Sequence, residues 1–234
     1  IGFMTQLADV ICPNSHAEVE RFLLHFDAPI GKYLVTHNGV DECFFEPIAP
    51  DLFLADHSIN VPFVLCVGNI EARKNQLALL EANSRIGMHT VLIGNVRDQD
   101  YFSQMNERFA GKFSYLGYMD HNAPVLRSAY AACAAFALPS LLETPGLAAL
   151  EAAAAGAPLV ITQEGCTAEY FGSEALYANP KSVEDIAEKI LVATNSKKQV
   201  KALKDRIRQF TWDRVAEELE GAYLKATTSV RMKI

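Results

Sequence analysis

The sequence predicts an α/β fold, a Rossmann-like doubly wound domain on a parallel sheet. Two observations carry that expectation. Short apolar runs rich in Val, Leu and Phe recur along the chain, and longer segments with helical spacing lie between them. Strands of that composition, alternating with helices, belong in a parallel sheet covered on both faces.

The first elements are sparse. A strand is expected at Asp9–Cys12, a helix at Ser15–Phe26 with Ser15 as its cap, and a strand at Lys32–Thr36. That is too little for a domain, so residues 1–40 read as the tail of an N-terminal domain whose remainder is missing. Residues 41–62 have no clear period, are punctuated by Pro47, Pro50 and Pro62, and read as a linker. The regular rhythm fills residues 63–210. Strands are expected at Phe63–Val67, Thr90–Ile93, Phe113–Leu116, Ala135–Leu138, Leu159–Ile161 and Ala175–Tyr177. The helices are expected at Gln76–Ile86, Asp98–Phe109, Ala123–Ala132, Gly146–Ala155, Val183–Thr194 and Val200–Gln209. Residues 211–234 supply a closing helix over Asp213–Lys225, with Val215, Leu219, Ala222 and Tyr223 as a core-facing stripe, and a tail.

A chain of 234 residues, half of them hydrophobic and 21% charged, has room for one large domain and a substantial core. The net charge of −7 excludes nucleic-acid binding by general electrostatics, because no basic surplus displaces counterions. Five scattered cysteines (Cys12, Cys43, Cys66, Cys133, Cys166) contain no Cys-x-x-Cys pair and suggest neither a disulfide framework nor a zinc site. A reducing, cytoplasmic setting follows as the expectation. The chain starts at Ile1 without a secretory signal, which reads as a fragment. Its longest uncharged stretch, Ser128–Leu142, is broken by Pro139 and falls short of the roughly 20 residues a spanning helix needs.

In open α/β sheets, ligands gather at the carboxyl ends of strands, where helix N-termini present free amides. After Phe63–Val67 comes a loop from Gly68 and Asn69 to Arg73, Lys74 and Asn75. Its glycine allows a tight turn, and its two cations are placed to neutralise a diphosphate. A solvated loop is the plainer reading of an Arg-Lys pair taken alone. After Ala135–Leu138 comes Glu143-Thr144-Pro145-Gly146-Leu147, with Pro145 suited to a helix's first turn and the Gly146 and Leu147 amides able to face a ligand. Glu151 is the lone charge on an alanine-rich helix and either points at solvent or has a role.

Other signals carry less. Asp98-Gln99-Asp100 could be a metal-binding Asp-x-Asp, but Asp98 also makes a good helix cap. The six histidines show no short-spaced cluster, so no metal site is expected, and His37 reads as a turn residue beside the linker. No nucleophile elbow, phosphate-binding Gly-Lys loop or Gly-x-Gly-x-x-Gly is present. The basic run from Lys197 and Lys198 through Lys204, Arg206 and Arg208 reads as a solvated helix face, with lipid contact as the weaker alternative.

Taken in order, these blocks resemble the retaining GT-B glycosyltransferases of family four. Glu143 and Glu151, with Ala152, Gly156 and Pro158-Leu159-Val160, are similar to the family signature. Asn38-Gly39-Val40-Asp41, the loop from Val67-Gly68 to Asn75, Gly165 through Glu169-Tyr170, Asn179-Pro180 and Phe210-Thr211-Trp212 resemble its other landmarks. Two departures stand out. Asn69 occupies a position where the family usually has arginine, and Glu-Thr-Pro-Gly replaces the common Glu-Gly-Phe-Gly.

The resemblance implies the C-terminal, donor-binding half of a GT-B fold, with the chain alone incomplete for catalysis. Lys74 and Arg73 would bind the diphosphate and stabilise its growing charge without a divalent metal. Glu143 would contact the donor sugar, helped by the Gly146 and Leu147 amides. Glu151 would hold the ribose, and the Tyr115–Tyr118 segment with Gly117 would receive the base. Gly68 and Asn69 would complete the donor site. The implied partners are a nucleotide sugar and, through the missing domain, an acceptor sugar or lipid-linked glycan, in the cytoplasm or at the inner face of the membrane. The alternatives are a non-catalytic nucleotide-sugar-binding module that works with a partner chain, and a GT-B-fold epimerase.

Overall fold

All six apolar runs from Phe63 onward form strands in the computed structural model, which describes residues 2–26, 29–195 and 198–231. They are β1 (Phe63–Val67), β2 (His89–Ile93), β3 (Phe113–Tyr115), β4 (Ala135–Leu138), β5 (Leu159–Thr162) and β6 (Leu176–Ala178). The sheet is parallel throughout, in the order β3-β2-β1-β4-β5-β6. The central strands β1, β4 and β5 are buried along nearly their whole length, while the edge strands β3 and β6 are mostly half-buried.

Among the described residues the α-helices are α1 (Gly2–Leu7), α2 (His16–His25), α3 (Asp51–His57), α4 (Gln76–Arg85), α5 (Gln99–Phe109) and α6 (Pro124–Ala132). They continue as α7 (Leu147–Ala155), α8 (Thr167–Phe171), α9 (Val183–Asn195), α10 (Lys198–Ile207) and α11 (Trp212–Arg231). The chain steps outward from β1 to β3, returns beside β1 for β4, and steps outward again to β6. Parallel crossovers are right-handed, so this reversal moves the connecting helices from one face to the other. Accordingly α4 packs with α5 and α9, whereas α6 packs with α3 and α7, and α7 with α10. Asp98 caps α5 by accepting from the Tyr101 amide at 2.9 Å, and Ser15 caps α2.

The structure corrects four expectations. The segments Asp9–Cys12 and Lys32–Thr36 are not strands: they share one parallel bridge, Ile11–Tyr33, with Pro13 following and supplying no amide donor. Residues 41–62, where no period is legible, hold a 3₁₀ turn at Glu42–Phe45 and α3, which bury Phe44, Phe45 and Phe53 in the core. On α11 only Ala222 of the expected stripe is buried; Val215 is half-buried and Leu219 and Tyr223 are exposed. The basic run is not simply a solvated face. Lys204 donates to the Phe45 carbonyl, Arg206 to the carbonyls of Tyr170 and Glu169, and Arg208 lies over the Phe45 ring. Lys197 lies outside the described residues.

The early and late ends of the chain meet at the domain's side. The Val40 amide donates to the Phe210 carbonyl at 2.8 Å, and a Cβ on Gly39 would stand 2.8 Å from the Trp212 ring. Only a residue without a side chain lets these two segments pack so closely.

Candidate functional site

The sheet reverses its winding between β1 and β4, which parts the loops that follow them and opens a crevice at their carboxyl ends. A cleft of about 360 Å³ lies there, lined by Gly68, Asn69, Arg73 and Lys74 from the β1 side. Glu143, Gly146, Leu147 and Ala148 line it from the β4 side. A larger hollow of about 560 Å³ lies at the opposite end of the sheet, between Asp51, Ile59 and Ala132. Among the described residues no basic side chain lines that hollow.

Backbone geometry places the β1 loop. The Gly68 amide donates to the Ile93 carbonyl, and a Cβ on Gly94 would fall 2.0 Å from the Gly68 oxygen. At this point the loops after β1 and β2 pass so closely only because Gly94 has no side chain, and a bridge from Ile70 to Val96 continues the contact. A 3₁₀ turn over Ala72–Lys74 ends at Asn75, which is left-handed and donates from its side chain to the carbonyls of Pro139 and Pro180. That amide ties the loops after β1, β4 and β6 together.

Lys74 then reaches across the crevice. Its Nζ lies 2.6 Å from Glu143 Oε2, with the two side chains 12% and 8% exposed. Ser140 donates to the same oxygen at 2.9 Å. The Glu143 backbone is held by the Glu164 carbonyl and the Cys166 amide, and Gly165 makes that contact sterically allowed. Arg73 lines the cleft but is partly spent, donating to the Leu142 carbonyl at 3.1 Å and pairing with Glu71 at 3.0 Å.

The β4 side contributes the amino end of α7. Pro145 follows a cis peptide bond and precedes the Gly146 cap, so it is not in the helix's first turn as expected. The Ala149 and Leu150 amides both turn back to the Gly146 carbonyl, and the first turn has no acidic residue and no side-chain cap. The amides of Leu147 and Ala148 precede any intrahelical acceptor, at the positive end of the helix dipole. A half-buried cation beside such a helix start can bind an anion, and Glu143 can accept hydrogen bonds from hydroxyls next to it.

Three expected site residues lie away from the cleft lining. Glu151 is buried on α7, where the Tyr130 hydroxyl donates to it at 2.7 Å and His121 Nδ1 approaches it at 3.0 Å. Burial pushes the Glu151 carboxyl up from its usual range, and the contacts from Tyr130 and His121 offset only part of that. The Tyr115 hydroxyl donates to the Gly94 carbonyl at 2.9 Å, so this side chain serves the loop's shape. Gly117 is left-handed, and its carbonyl accepts from the Gly94 amide. Sequence reasoning missed Ser140, Asn75, Tyr130 and His121. A Ser three residues before a candidate acid was the one local signal among them.

A family model described as glycosyl transferases group 1 matches residues 55–210. The chain is 31% identical over 175 residues to the O-antigen chain mannosyltransferase B of Escherichia coli, an alignment covering 69% of this chain and 45% of that protein. It is 24% identical to the D-inositol 3-phosphate glycosyltransferase of Corynebacterium aurimucosum, covering 94% of this chain and 57% of that one. The chain thus spans about half the length of the curated relatives it matches. Among solved structures, a glycosyltransferase from Rickettsia africae superposes with TM-score 0.83 at 18% identity, over 96% of this chain and 67% of that one. Anabaena HepE in complex with UDP-glucose superposes with TM-score 0.82 at 18% identity, over 97% and 66%.

Proposed function

This chain belongs to the glycosyl transferases group 1 family, and we propose that it is the donor-binding half of a retaining GT-B glycosyltransferase. The observation that supports this most directly is the Lys74–Glu143 pair, set across the switch point of the sheet beside the uncapped start of α7. In this reading a nucleoside-diphosphate sugar enters the cleft. Its phosphates lie against Lys74, Arg73 and the Leu147 and Ala148 amides, and its sugar hydroxyls donate to Glu143. Gly68 and Asn69 border the phosphates. The ribose reaches Glu151, and the base rests on the backbone from Tyr115 through Gly117.

The chemistry follows from charge. As the bond from the anomeric carbon to the phosphate oxygen breaks, positive charge develops on the sugar and negative charge on the departing diphosphate. Fixed cations and helix amides stabilise the second, and the Glu143 carboxylate complements the first. Lys74 and Arg73 supply what a divalent metal supplies in other transferases. The acceptor hydroxyl, presented by a domain outside this chain, bonds through its oxygen to the anomeric carbon and gives its proton to the departing diphosphate, and the donor sugar keeps its anomeric configuration. Residues 1–40 are the end of that domain, 41–62 the connection, and 211–234 the helix and tail that return to it. No described helix is long and apolar enough to cross a membrane.

Calorimetric titration with UDP, GDP, ADP and dTDP, with and without magnesium, tests the reading. UDP is the first to try because the Anabaena protein of like fold is bound to UDP-glucose. One nucleotide is expected to bind without magnesium, and Lys74→Ala to weaken it about 10- to 100-fold, the size of a lost charge-assisted hydrogen bond. Binding of no nucleotide at millimolar concentration would sink the proposal. A strict need for magnesium would remove its metal-free part.

A further inference from the structure

We propose that His16, His37 and Glu169 form a site for one divalent transition-metal ion of the zinc class, with Glu218 orienting His37 behind it. The site lies outside the donor cleft and does not depend on the reading of that cleft. His16 opens α2, His37 sits in the extended segment after the Ile11–Tyr33 bridge, Glu169 lies on α8 and Glu218 on α11. One ligand atom from each of His16, His37 and Glu169 lies within 4.8 Å of the others. His16 Nδ1 is 2.7 Å from Glu169 Oε1, and His37 Nε2 is 3.1 Å from the same oxygen. Zinc bonds of about 2.1 Å at the tetrahedral angle hold two ligand atoms about 3.4 Å apart, so an ion enters when the two nitrogens back away from Glu169 to that spacing.

The arrangement around His37 points to a cation. Its Nδ1 lies 3.2 Å from Glu218 Oε1, while the second Glu218 oxygen accepts the His37 amide at 2.8 Å. A neutral imidazole that donates from Nδ1 carries a lone pair on Nε2, and here that lone pair faces the Glu169 carboxylate. Two electron-rich atoms at 3.1 Å need either a proton or a metal ion between them, and the experiment below separates the two. A carboxylate behind the far nitrogen of a histidine is also the usual support of a metal ligand. The half-buried Glu169 is also fixed in place by the start of α2, its two oxygens accepting from the His16 amide at 2.9 Å and one of them from the Ala17 amide. Arg206 is occupied by the backbone oxygens of Glu169 and Tyr170, so the two carboxylates have histidines as their ion-pair partners. With neutral histidines the cluster carries two negative charges, which one divalent ion balances. Two imidazoles and one carboxylate suit zinc, nickel or cobalt better than magnesium or calcium. The bound ion would fasten the segment before Asn38 to α8.

The experiment strips the full chain with a chelator, titrates zinc by calorimetry, counts bound metal by mass spectrometry, and records the visible spectrum with cobalt. The expected result is one zinc per chain, a cobalt spectrum of a low-symmetry nitrogen-ligated ion, and no response to magnesium. His16→Ala and His37→Ala should lose stoichiometric binding, Glu218→Gln should weaken it about tenfold, and His57→Ala should leave it intact. If zinc does not bind at micromolar concentration, or binds equally well to both histidine variants, the cluster is held by a proton and the proposal falls. Should either histidine variant misfold by circular dichroism, the wild-type cobalt spectrum decides: a spectrum of the hydrated ion overturns the site.

Discussion

Glu151 is a carboxylate held where water scarcely reaches, and its burial penalises the charged form. The folded protein therefore holds the Glu151 proton more tightly than the unfolded chain does. As pH rises past the unfolded carboxyl, near about 4.3, the unfolded state loses its proton first and wild-type stability falls until the folded group ionises too. Glu151→Gln keeps an acceptor for the Tyr130 hydroxyl and removes the charge. The variant is expected to be more stable than wild type near neutral pH, with the gap closing below about pH 4. Its nucleotide affinity should fall. Thermal unfolding at the two pH values and one titration check this. Equal loss of stability at both pH values would show that Glu151 supports the fold and is not strained by it.

At the scale of elements, Gly165 governs how the loop after β5 meets the loop after β4. A Cβ there would sit 1.9 Å from the Glu143 carbonyl oxygen, at a φ of +111°. Gly165→Ala must displace the backbone that carries Glu143, with an expected cost of about 2–3 kcal/mol and weaker nucleotide binding in step. Urea unfolding reads the first, and an unchanged midpoint would refute the steric argument. The six strands were legible in the sequence because central parallel strands are apolar on both sides and leave continuous runs. Helix α3 was not, because Pro47 and Pro50 read as breakers, whereas Pro50 sits at the helix cap, where a missing amide costs nothing. Lys74 and Glu143 were both legible as candidates, each at the end of a strand. Their contact was not, since 69 residues separate them and only the winding of the sheet brings them together. His16 and His37 eluded a search for short spacings because Glu169, 153 and 132 residues further on, completes their cluster.

As a whole molecule, the chain shows an apolar surface concentrated at its two ends. Phe3, Met4, Leu7, Leu24 and Ile30 are exposed in the first segment, and Leu219, Tyr223 and Leu224 on α11. The proposed acceptor domain would cover this surface and present the second substrate. The isolated chain is accordingly expected to bind nucleotide but to transfer sugar at no more than background rate, measured as release of nucleoside diphosphate with glycan acceptors. Sustained turnover by the purified chain would show that the acceptor site is already complete.

The Lys74–Glu143 contact has a consequence for what the cleft accepts. Each charge of the pair already has its counterpart. A simple anion that captures Lys74 strands a carboxylate with only Ser140 beside it, and a free sugar that engages Glu143 does nothing for the ammonium. On the proposed reading, a nucleoside diphosphate held through Lys74 binds below the cleft's full capacity, because it leaves Glu143 without its cation, and a sugar joined to the phosphate recovers what the broken ion pair forfeits.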